Sequence, residues 1–73
     1  MKPGTILKIN NPITSMLGML LSPDLLYTAN NVIYWIHPRE LVTATGREHD
    51  TFMEVISKTG VLGWAKKECL KKV

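Results

Sequence analysis

Side chains able to do chemistry are few in this 73-residue chain: one cysteine, Cys69, two histidines, His37 and His49, and six carboxylates. A thiol with an imidazole is the only nucleophile and base combination on offer, and neither a glycine-rich elbow nor a third, orienting residue accompanies it. Zinc would have to draw on the same three residues plus a carboxylate, and no two of them stand at the local spacing of a metal site. Asp50 and Glu54 lie on a strand and the loop before it, and no second carboxylate pair stands out for acid–base work. These residues point away from an enzyme and from any metal or cofactor. Cys69 is expected as a small apolar filler beside Leu70.

Two other groups could carry binding. The net charge of +3 resides wholly in residues 66–73, where Lys66, Lys67, Lys71 and Lys72 face only Glu68. Such a segment can neutralise phosphates, and Trp35 or Tyr34 could stack a base, so nucleic-acid binding is the alternative function. Against it, basic residues are nowhere interleaved with aromatics, which favours a solvated basic end. The second group is Val32-Ile33-Tyr34-Trp35-Ile36, five β-branched or aromatic residues in a row. The two-residue period of a strand sends Val32, Tyr34 and Ile36 inward and leaves Ile33, Trp35 and His37 outward. Those three are the predicted partner-binding residues, covered either by the Leu25-Leu26-Tyr27 segment or by another protein.

Turn-formers cut the chain into short pieces, which predicts an all-β fold in one domain, residues 1–73. Thr5 to Ile9 alternates as a half-buried strand stopped by Asn10-Asn11-Pro12, and Met16 to Leu21 is apolar on both faces, with Gly18 marking a bulge or a close approach. Ser22-Pro23-Asp24 is a turn; the stretch to Asn31 reads equally as a loop or one helical turn. Leu41 to Thr45 is extended, Gly46 to Asp50 reads as a polar loop, and Thr51 to Ser57 alternates, with Phe52, Glu54 and Ile56 opposite Met53 and Val55. Lys58-Thr59-Gly60 joins it in a tight hairpin to Val61–Ala65. A short turn at Lys66–Cys69 precedes a last strand at Leu70–Val73. Five or six short strands with a thin core favour a closed barrel, which hides raw edges. One cysteine allows no internal disulfide, so tight packing or self-association has to supply stability.

The run Glu54-Val55-Ile56-Ser57-Lys58-Thr59-Gly60-Val61-Leu62-Gly63-Trp64-Ala65, followed by Lys66-Lys67-Glu68-Cys69-Leu70, resembles the closing part of Src-homology-3 folds, especially the bacterial type. There a strand, a tight hairpin, Gly-Trp and a short helical turn lead into a final strand. The resemblance covers about residues 40–73 and implies a small barrel of five to six antiparallel strands, with a 3-10 turn before the last and Trp64 across a barrel end. Eukaryotic members bind proline-rich peptides in an aromatic groove, but here Cys69 stands for the aromatic and Lys66 for the proline, so that ligand is not expected. Leu17-Gly18-Met19 and Tyr34-Trp35 are loosely similar to small barrels of tailed phages and bacteria. The function expected is a protein-interaction module, as a homo-oligomer or an accessory subunit of a larger, viral or bacterial, assembly. No stretch approaches a membrane span, Lys2 is set apart from the apolar Ile13–Leu21 stretch unlike a signal peptide, and a lone cysteine suits a reducing compartment. A cytoplasmic protein without a membrane partner is expected.

Overall fold

A computed structural model describes residues 1–10 and 15–73. The expected turn at Asn11-Pro12 lies outside them. Among the described residues seven strands form: β1 (Ile6–Ile9), β2 (Leu17–Leu20), β3 (Val32–Ile36), β4 (Val42–His49), β5 (Phe52–Ile56), β6 (Leu62–Lys66) and β7 (Leu70–Lys72). Single 3-10 turns at Ala29–Asn31 and Lys67–Cys69 precede β3 and β7. The strands make one antiparallel sheet in the order β3-β2-β6-β5-β4-β1-β7. The count exceeds the expected five or six because every extended piece, down to the three residues of β7, finds a partner. Among the described residues no helix is long and apolar enough to cross a membrane.

The sheet has two ends, β3 and β7, and no ladder joins them among the described residues. It bends over its own interior instead. Leu7, Ile9 and Leu70 from one end share a cluster with Leu17, Met19 and Ile36 from the other, and Val42, Met53, Val55 and Ala65 fill the middle. The alternation expected of Thr51–Ser57 places Met53 and Val55 in this core and Phe52 and Glu54 on the opposite face. Trp64 is buried but lies outside this interior, in a smaller cluster with Leu20 and Phe52 and with Val32 packed against it. Ala65, its neighbour along β6, points the other way into the main core, so the period of two excludes Trp64 from it.

Gly46 to Asp50 is not a loop: β4 runs on to His49, with Glu48 opposite Met53 and His49 opposite Phe52. A register shift between Ala44 and Glu48 absorbs Gly46, whose φ of +95° suits glycine and whose missing Cβ makes room for Pro3. The reversal falls at Asp50, with φ 55°, a left-handed position that Asp tolerates. Because Arg47, Glu48 and His49 are exposed, this end of the ribbon carries polar side chains without losing its ladder.

Candidate functional site

The residues that could do chemistry are apart or already engaged. Cys69 sits half-buried in the 3-10 turn at the margin of the core, His37 begins the β3–β4 turn, and His49 ends β4. Among the described residues no three His, Cys, Asp or Glu side chains gather as a metal site would need. Two carboxylates are buried, and both tie elements together. Glu40 accepts from the Tyr34 hydroxyl at 2.9 Å, from the His37 backbone N–H at 3.2 Å and from the Lys58 backbone N–H at 3.1 Å. Glu54 accepts from the Thr45 hydroxyl at 2.7 Å and from Arg47 at 3.3 Å, and the Arg47 guanidinium lies 5.4 Å from the centre of the Trp64 ring.

The four C-terminal lysines have different neighbours. Lys66 lies over the Tyr27 ring at 4.7 Å, and Lys67 bonds Glu48 at 3.2 Å. Lys71 stands opposite Lys8, and Lys72 opposite Leu7, on the edge strand β7. Trp35 lies in β3 at the other end of the strand order.

At β3 the exposed residues are those expected, with Ile33 44% and Trp35 45% exposed and His37 exposed beside them. They do not form one stripe. Met19 pairs with Tyr34 but Leu20 pairs with Val32, so one step along β2 spans two residues of β3. This bulge breaks the alternation. Val32, expected inward with Tyr34 and Ile36, instead packs on the Leu20–Phe52–Trp64 cluster, and with Trp35 it flanks the space where a Gly18 Cβ would stand. Ile33 reaches toward Met19 and Gly63, at the margin of the main core. The Leu25-Leu26-Tyr27 segment packs against Phe52, with the Tyr27 and Phe52 rings 6.0 Å apart, while Leu26 is exposed. Burial pushes the Tyr27 phenol above its ordinary pKa, partly offset by its hydrogen bond to the Gly18 carbonyl.

The backbone direction of β3 follows from its partner. The Gly18 carbonyl accepts from Tyr27 at 3.2 Å, and the Leu20 carbonyl oxygen lies 2.9 Å from where a Gly63 Cβ would be, so both face away from β3. In an antiparallel ladder the N–H and C=O of one residue point the same way, and residues facing away alternate with residues facing the partner. Gly18 and Trp35 are therefore a non-hydrogen-bonded pair, and the Trp35 N–H and C=O point out of the sheet at its open edge. Among the described residues no turn or loop hydrogen bond reaches them. His37 differs: its N–H bonds the Glu40 carboxylate, and its carbonyl accepts the Glu40 N–H at 3.0 Å.

Sequence reasoning missed a groove of about 570 Å³ between Leu21–Asp24 and the β4–β5–β6 face. Its charges largely answer one another: Arg47 pairs with Glu54, and His49 Nε2 lies 3.7 Å from Asp24. Glu48 is held below the ordinary carboxylate range by the terminal ammonium of Met1 and then by Lys67. No local motif announces the groove, since its walls are far apart along the chain. Set against protein-family models, curated proteins and solved structures, the chain matches none.

Proposed function

We propose that this chain is a non-enzymatic protein-interaction module on a Src-homology-3-like barrel, acting in the cytoplasm and making contact through β3. The hairpin β5–β6, the Gly63-Trp64 pair, the 3-10 turn at Lys67–Cys69 and the last strand β7 follow one another in the order that resemblance implies. The shared core between the two ends of the sheet favours a barrel-like closure by side chains. The observation that carries the function is the open edge of β3, where Trp35 offers a half-exposed indole and an outward N–H and C=O. An extended segment of another protein can add to such an edge through main-chain bonds while the indole supplies contact area. Ile33 contributes from the neighbouring face, and His37 offers its side chain alone because Glu40 occupies its main chain.

Panning a displayed random-peptide library on the wild-type chain should enrich extended, alternating apolar sequences that fail to bind W35K. Equal enrichment on both would place the contact elsewhere. Nucleic-acid binding makes the opposite prediction. Tryptophan fluorescence titrated with oligonucleotides at low and moderate salt would then fall steeply in affinity with salt, whereas a flat response at both is expected here.

A further inference from the structure

We infer that the partner taken by the β3 edge is a second copy of this chain, paired antiparallel about a two-fold axis at Trp35. The inference rests on the protein-contact function proposed above and names its partner. The two open edges of the sheet differ in one decisive respect. β7 carries Lys71 and Lys72, with Lys8 beside Lys71, a set of like charges that repels another edge of the same kind. β3 is Val32-Ile33-Tyr34-Trp35-Ile36, with no charge and no proline, and its bulge lies near the start, leaving Tyr34 to Ile36 regular.

Self-pairing follows from the direction of the main chain. With Trp35 on the axis, its N–H donates to the C=O of Trp35 in the other copy and receives the reciprocal bond. Tyr34 then stands opposite Ile36 on either side of the axis, so no charged side chain faces another within the regular part of the strand. Both indoles emerge on one face, each leaning over Gly18 of its own copy, so they flank the axis on the same side of the joined sheet. Growth stops at two copies, because the edge left at each end of the dimer is the lysine-bearing β7. The ladder is short, since Glu40 holds the main chain of His37. The contact accordingly falls below the roughly 1,000 Å² of a stable interface, and a reversible dimer in the high-micromolar range is expected.

Sedimentation equilibrium between about 10 μM and 1 mM, together with hydrogen exchange of the Trp35 amide over the same range, tests the inference. The expected result is a wild-type dimer whose Trp35 amide loses protection on dilution. W35K and the β-favouring variant Trp35→Thr should dissociate at least about tenfold more readily while keeping the wild-type circular dichroism spectrum. A dimer that W35K and Trp35→Thr leave equally strong, or a Trp35 amide whose exchange ignores concentration, overturns it. A wild-type chain monomeric throughout also overturns it. In that case, Trp35-dependent peptide enrichment would leave the interaction function standing with a foreign partner, and its absence would remove both.

Discussion

Glu40 offers the sharpest test of how this small fold is held. Its carboxylate is 4% exposed and gathers three donors from two places: Tyr34 and His37 at the end of β3, and Lys58 in the β5–β6 turn. Glu40→Ala removes the acceptor and leaves two main-chain N–H groups and a hydroxyl unpaired, each costing about 1–3 kcal/mol when buried. Burying the carboxylate itself has a cost that the variant recovers, and water can enter from the groove lined by His37, Arg39 and Leu41. A net loss of about 3–5 kcal/mol results. Glu40→Gln keeps the shape but turns an amide NH₂ toward one donor, for about 2–3 kcal/mol, and Tyr34→Phe removes one donor, for about 1–1.5 kcal/mol. A domain of this length has roughly 4–10 kcal/mol in total, so Glu40→Ala lies near the limit of folding while Tyr34→Phe melts about 4–10 °C lower. Urea and thermal unfolding followed by circular dichroism give the order. Glu40→Ala melting within about 2 °C of wild type, or Tyr34→Phe proving the more damaging, would refute a three-donor clasp.

Two glycines should respond to alanine for different reasons. At Gly63 a Cβ would stand 2.9 Å from the Leu20 carbonyl oxygen, main chain that cannot swing aside, and about 2–3 kcal/mol is expected from chemical denaturation. At Gly60 nothing lies within 4 Å, but φ is +88°, so the strain alone costs about 1–2 kcal/mol. If Gly60→Ala cost more than Gly63→Ala, the close approach of β6 to β2 would be wrong. For Glu48 the folded pKa is depressed, so its favourable contribution is present above the unfolded pKa and is lost as pH falls through the folded one. Carboxyl NMR titration should find its midpoint below that of a free Glu and moving upward in Lys67→Ala; an unmoved midpoint would remove Lys67 from the pair.

The local features were legible because their causes are local. A left-handed Gly60 turns the chain whatever surrounds it, Val32–Ile36 is extended because its side chains crowd any helix, and the alternation of Thr51–Ser57 needs only the pleat. The polar run Gly46–Asp50 misled because polarity distinguishes buried from exposed, not strand from loop, and a ladder to β5 suffices to extend it. The candidate surface was half legible: Trp35 is exposed as its position predicts, but the stripe with Ile33 is split by a bulge that only the pairing with β2 creates.

From its residues alone this chain is an all-β domain of short strands with scattered chemistry and one conspicuous apolar strand. Pattern fixes which side chains share a face, because a strand's period is intrinsic to it. Tertiary structure decided which face meets the larger core, sending Trp64 to the smaller cluster, and it closed three donors on Glu40. Among the described residues it also left β3 with an unpaired edge at one end of the sheet while giving the other end to lysines. Those outcomes depend on which strands become neighbours, and that is settled by the joint packing of segments far apart in the chain.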